Sequence, residues 1–377
     1  MKWIQNGNLA KLVAFFVIAA VITCTVSFAA NGWESFITEP DSDKIVTDVN
    51  KENDNVDENT DGDNNTNNQD PDVPTVAPAP KYFHCLTGLE ITLENSLKKP
   101  LCIVMSSTDP LYGISSSYLT IEIPTEYGKT RLLCFTDDTD QLGKIGSLAP
   151  TRGYMSNLAS YFGGVLLSYG NDDSFEYDYH SPSGHLNFAE TTGYCYSEYN
   201  TFSYTNGDLV KAFISNSGVS TTLPKDTFKA PYDFVATDGD AIVGEHTAKN
   251  ITITYAENNT TDLVYSFSDN KYVFIKNSSQ KTDLLNDKAI SYENVFIIYA
   301  DSTTYETADS TQFILDTAGK GSGKYLTGGT MMDITWEIDT SGNLTFIDSN
   351  GNKLNINRGT SYISFVKSSN PSSVKIS

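Results

Sequence analysis

The chain is short of positive charge: 25 Lys and Arg face 47 Asp and Glu over 377 residues, a net charge of −22. Such a chain repels phosphate backbones and anionic headgroups, so nucleic acid is not an expected partner. Histidine is rarer still. The only four, His84, His180, His185 and His246, show no HExxH or other close metal-ligand spacing. His180 and His185, the nearest pair, stand in a polar stretch and read as surface residues. Five cysteines occur without a CxxC, which argues against a thiolate metal site. Neither metal nor cofactor is expected. "GKGSGK", Gly319 to Lys324, lacks the glycine spacing of a phosphate loop and reads as a glycine-rich turn.

Long apolar runs are also missing, with one exception. Leu12 to Ala30 is uncharged, follows Lys2 and Lys11, and as a helix would be about 28 Å long, close to the thickness of a bilayer core. It reads as an export signal, an anchor or both, with the N-terminus inside and the remainder outside. Three fates compete: an uncleaved transmembrane helix, cleavage before Cys24 with lipidation of that cysteine, and signal-peptide cleavage after Ala29. The cell membrane is thus an expected partner through residues 1–30.

Residues 31–81 have little with which to build a core. Between Glu39 and Pro80 stand 12 acids against two lysines, Lys44 and Lys51, and the stretch closes in "PDVPTVAPAP". That composition predicts a disordered acidic tether ending in a stiff proline-rich spacer. Asp57, Asn59, Asp61, Gly62 and Asp63 imitate an EF-hand loop, but Asn68 occupies the place of the bidentate Glu and no helical periodicity flanks it. A solvated linker is the better reading.

Past Tyr82 the pattern is that of a folded protein. "LCIVMSS", "YLTIEIP" and "RLLCFTD" predict strands, and the middle one alternates apolar and polar residues. After Pro150, Tyr154, Leu158, Tyr161 and Phe162 share a helical face that Gly163 and Gly164 terminate, and "VLLSYG" follows as a strand. Asn206 is placed to cap a helix ended by Gly218. From Asn250 onward the pattern is β, with turns at Asp269–Asn270, Ser341–Gly342 and Asn350–Gly351. The expected fold is α+β: a mixed α/β domain over residues 82–225, then a β-rich antiparallel domain over 226–370. Cys85, Cys102, Cys134 and Cys195 allow three disulfide pairings or remain as free thiols, Cys102 and Cys134 lying inside apolar strands.

Several short motifs, in this order and spacing, resemble the YerB-like family, a bacterial family assigned to the lipoproteins and defined by two consecutive domains of unknown function. They are "LTGL" at Leu86, the series Glu122, Glu126, Gly128, Thr130 and Arg131, then "KIG", "TRGY", "NVFIIYAD", "GKGSGK" and "DITWE". The resemblance implies envelope localisation, N-terminal anchoring, and a mixed α/β domain followed by a β-rich one. It supplies no reaction. The chain departs from the family at Ala149, where relatives carry an arginine, and at Glu198 to Asn200, where they carry Pro-His-Asn.

Candidate site residues follow from charge placement. Arg152 opens a predicted helix, where the unpaired N–H groups favour an anion. Glu122 and Glu126 end one strand and Arg131 begins the next, so pairing through a turn at Gly128 would gather two acids and two guanidinium groups at one sheet edge. Such a cluster fits either a structural ion-pair network or a ligand site. A second candidate is the 171–200 loop, where Asp172, Asp173, Glu176 and Asp178 lie among tyrosines, as in a carbohydrate-active cleft. The reading is a membrane-tethered extracytoplasmic protein that binds an envelope protein or cell-wall polymer. The alternative is a cell-wall hydrolase using the loop acids.

Overall fold

The computed structural model describes residues 80–108, 110–170, 184–198, 201–306 and 311–377. The predicted membrane segment, Cys24, the acidic tether with its EF-hand-like stretch, and Asp172 to Asp178 lie outside the described residues. Among the described residues no helix is long and apolar enough to cross a membrane.

Ala79–Ser377 form one compact, β-rich unit with few helices. Its frame is an 11-stranded mixed sheet. The first half of the chain contributes β1 (Leu101–Ser106), β2 (Leu119–Pro124), β3 (Thr130–Thr136), β4 (Val165–Ser168) and β5 (His185–Asn187). Between β3 and β4 lies helix α1 (Gly153–Tyr161), and helix α2 (Gly207–Ser217) follows β5. As the sequence predicts, Asn206 Oδ1 accepts from the Leu209 N–H at 3.0 Å and Gly218 takes φ 70° at the other end of α2.

The second half begins with β6 (His246–Thr247) and then β7 (Asn250–Ala256), β8 (Asn259–Ser266) and β9 (Lys271–Lys276). It continues through β10 (Asn294–Ala300), β11 (Lys320–Thr327), β12 (Thr330–Ile338), β13 (Leu344–Ile347), β14 (Ser361–Lys367) and β15 (Val374–Ile376). The large sheet runs β6-β12-β11-β10-β14-β2-β3-β1-β4-β5, with β13 on β12. Its decisive joint is β14, which runs parallel to β10 on one side and parallel to β2 on the other. The sheet therefore takes strands from both sides of the predicted boundary near Pro224 to Pro231.

A smaller antiparallel sheet, built on β15-β7-β8-β9, covers one face of the large one. The packing explains the strand sequences. In β10, Phe296 and Ile298 join the core shared with Met155 and Leu158 of α1, while Val295 and Ile297 join the core shared with Ile251, Ile253, Leu263 and Phe274 of the small sheet. A strand buried on both faces reads as a continuous apolar run, as "NVFIIYA" does.

Two expectations need correction. The alternation in β2 suggests a half-exposed strand, but all six residues are buried, Thr120 and Glu122 included. "GKGSGK" is not a turn: Lys320–Thr327 is strand, and the turn follows at Gly328 and Gly329. The glycines serve close packing, because a Cβ on Gly321 would lie 2.6 Å from the Tyr299 carbonyl oxygen and 2.7 Å from the Trp336 ring nitrogen. All four described cysteines are free thiols. Burial raises Cys102 and pushes Cys134 up to about 12, which keeps both protonated and unreactive.

Candidate functional site

The four predicted site residues divide into two groups, and strand geometry decides how. Side chains alternate across a strand. Glu122, opposite Leu132, points to the small-sheet face, whereas Arg131, opposite Ile123, points to the α1 face. The four therefore do not form one cluster.

Glu126 and Arg152 do meet. Arg152 is the N-cap of α1, and its Nε and Nη2 donate to Glu126 Oε1 at 3.0 Å and Oε2 at 2.8 Å, a bidentate fork on a partly buried carboxylate. Tyr154 Oη donates to the Pro124 carbonyl at 3.0 Å, which fastens the same helix end to the end of β2. Burial works against the Glu126 charge, but the Arg152 hydrogen bonds and charge outweigh it and hold the carboxyl below its usual value. The helix thus receives its anion from a neighbouring strand end.

Glu122 has a different partner, which the sequence reading missed. Lys276, at the end of β9, donates to Glu122 Oε1 at 2.5 Å, and both side chains are fully buried. Thr130 donates to the same oxygen, while Thr261 and Tyr362 donate to Oε2. Burial pushes Glu122 upward, yet the ammonium and the Thr130 and Tyr362 hydroxyls together lower it. The signal was available: in β9 the inward positions are Tyr272, Phe274 and Lys276, so the lysine falls in the buried phase. A charge in that phase requires a counter-charge.

Above this network lies an open cleft of about 490 Å³. Two hairpin turns frame it. The β2–β3 turn brings Tyr127 and Gly128 into left-handed conformations, φ 58° and 69°, the geometry of a type I′ turn. The β7–β8 turn packs against it so closely that a Cβ on Gly128 would lie 2.5 Å from the Ala256 Cβ. Asn259 ties the two together by donating from Nδ2 to the Gly128 carbonyl at 2.7 Å. The remaining wall comes from Ser106–Thr108 and Leu148–Pro150. Lys129 and Arg131 bring positive charge to the lining, against one acid among the described residues, Glu257. Ser107 and Thr130, hydroxyls 2.6 Å apart, line the cleft and connect it to buried Glu122.

Of the predicted residues, Arg131 lines this cleft, whereas Glu126 and Arg152 form the adjoining ion pair and Glu122 lies beneath. Among the described residues no group of His, Cys, Asp and Glu is arranged to hold a metal ion.

Comparison with known proteins places this architecture. Residues 251–363 match the C-terminal domain of DUF3048, a protein of unknown function. Over 248 residues the chain is 24% identical to "Putative lipoprotein YerB" of Bacillus subtilis strain 168, covering 63% of this chain and 72% of that protein. The chain is a homologue of YerB. The crystal structure of Bacillus subtilis YerB superposes with a TM-score of 0.67 at 20% identity, over 79% of this chain and all of the other. The match of residues 251–363 contains β7 through β10 and reaches into β14, hence the cleft wall at Asn259 and the buried Lys276.

Proposed function

We propose that this chain is a membrane-tethered extracytoplasmic binding protein whose folded unit holds an envelope component, a cell-wall polymer or an envelope protein, in the cleft between the two hairpin turns. The carrying observation is the cleft itself: an open space of about 490 Å³ lined by hydroxyls, amides and two cations, with one acid. A hydrolase of the glycosidase type needs two converging carboxylates, and among the described residues this lining has one, Glu257. The uncharged run Leu12 to Ala30 with Lys2 and Lys11 before it supports the tether, either as a helix or through lipidation at Cys24. The name of its Bacillus homologue, "Putative lipoprotein YerB", supports the same location. Residues 82–225 and 226–370 would act as two domains that share one sheet, with the cleft drawing walls from both.

Fractionation tests the location. The full-length chain should pellet with membranes and be digested when protease is added to intact protoplasts; recovery in the cytosol, or protection from that protease, overturns the tether. Co-sedimentation tests the binding. The full chain, purified in detergent, should sediment with isolated, protein-stripped cell wall or with washed envelope membranes, and failure with both overturns the binding role.

A further inference from the structure

We infer that the cleft recognises a carboxylate-bearing amino sugar, stacked on Tyr127 and held by Lys129 and Asn259. This inference rests on the binding role proposed above and names the chemical class that would fill its site.

Tyr127 stands at a turn position that disfavours a tyrosine. It is the first central residue of a type I′ turn, at φ 58° and ψ 28°, a place suited to Asn, Asp or Gly and strained for a bulky side chain. Strain of this kind persists where surrounding structure holds it and is concentrated at ligand sites. Tyr127 is 72% exposed, and its hydroxyl accepts a long hydrogen bond, 3.4 Å, from the Thr311 N–H, which leaves the ring face open. An aromatic face presented at the edge of a polar cleft suits the apolar face of a sugar ring, which stacks on it without losing its hydroxyl hydrogen bonds.

The cleft floor adds a second observation. Asn259 is 7% exposed, and its Nδ2 donates to the Gly128 carbonyl, which fixes the amide orientation. Its Oδ1 is buried without a donor among the described residues. A buried acceptor left in that state is destabilising unless a ligand or solvent donor reaches it. The N–H of an acylated amino sugar is such a donor.

The charge of the ligand follows from the wall. Lys129 is exposed, next to the turn glycine, and no carboxylate lies within ion-pair distance of it among the described residues. Arg131, in β3, also lines the cleft, with its Nη1 donating to the Thr130 carbonyl at 3.2 Å. Lys129 thus places an exposed cation beside the cleft in a protein of net charge −22. It favours a ligand with a single carboxylate over a polyanion, which the whole-molecule field repels.

The test uses the full chain in detergent and two disaccharides, N-acetylglucosaminyl-N-acetylmuramic acid and chitobiose, which share an acylated amino-sugar frame but differ in the carboxylate. Calorimetry should show binding of the first, with chitobiose at least tenfold weaker. Tyr127→Asn should lower that affinity at least tenfold while its thermal midpoint stays level or rises, because Asn relieves the turn strain; a tyrosine with only a structural role would lower the midpoint and leave affinity unchanged. Lys129→Gln should bring the two sugars within threefold of each other. Equal affinity for the two sugars, binding unaffected by Tyr127→Asn, or no binding of either sugar overturns the inference. If the chain sediments with cell wall but binds neither sugar, only the ligand class falls; if it sediments with no envelope fraction, the binding role falls with it.

Discussion

At position 152 a cation stands where a helix end favours an anion, and Glu126 answers it. Glu126 supplies a carboxylate whose two oxygens accept from the guanidinium, while Glu122, the other acid within sequence reach, is committed to Lys276 on the opposite face. Breaking a partly buried fork removes two charge-assisted hydrogen bonds, so Arg152→Ala and Glu126→Ala should each cost about 2 kcal/mol. Denaturant midpoints of the singles and the double should show a coupling of about 1–2 kcal/mol, whereas Arg152→Ala with Glu122→Ala should be additive. The same pair makes a pH prediction. The Glu126 carboxyl is held below its unfolded value, so its contribution is present above about pH 4.3 and is lost as the pH falls through the lower folded value. Glu126→Gln should therefore be less stable than wild type at pH 7, and the two curves should converge on acidification. A constant gap down to pH 2 would show that the charge of Glu126 contributes nothing.

Strands and helices were legible to different depths. The caps of α2, the helix after Pro150 and the strands β1 to β4 stand where propensity, Asn206 and the glycine stops put them, because those signals are local. β2 was legible as a strand but not as a buried one. Its alternation normally marks a wet face, and here the polar phase is dry because β9 delivers Lys276 beneath it from far along the chain. The mistaken turn at "GKGSGK" has a similar cause, since its glycines answer to Trp336 and Tyr299 on neighbouring strands. The gathering of all four charged residues failed on side-chain alternation, which the spacing argument left out. The buried pair should behave as an element-level joint between the two sheets. Lys276→Met alone strands a buried carboxylate and should cost about 3–5 kcal/mol by chemical unfolding, while adding Glu122→Leu should recover most of it. Equal losses in the single and double variants would mean that Lys276 contributes only its packing.

At the scale of the molecule, the order of strands in the sheet differs most from their order in the chain. β14, within the last 20 residues, is inserted between β10 and β2 and pairs in parallel with both. Parallel pairing between strands more than 200 residues apart cannot be read from local periodicity, which is why the sequence suggested two consecutive domains without their shared sheet. The arrangement has a consequence for stability. Without β14, β2 would be a sheet edge in which Ile121 and Ile123 face one open side and Thr120 and Glu122 the other, and Glu122 would lose the Tyr362 hydroxyl as well. Residues 82–225 alone would also lack the small sheet, leaving the face that carries Leu132 and Cys134 open to solvent. That fragment should therefore fail to fold as a soluble monomer, and a chain ended after Gly359 should fail likewise despite losing only β14, the final 3-10 turn and β15. The complete folded unit should instead unfold in one transition, with the fluorescence of Trp336, in β12, and far-ultraviolet circular dichroism changing at the same midpoint. Two separated transitions, or a cooperatively folded 82–225 fragment, would show that the halves are stable without the strand that joins them.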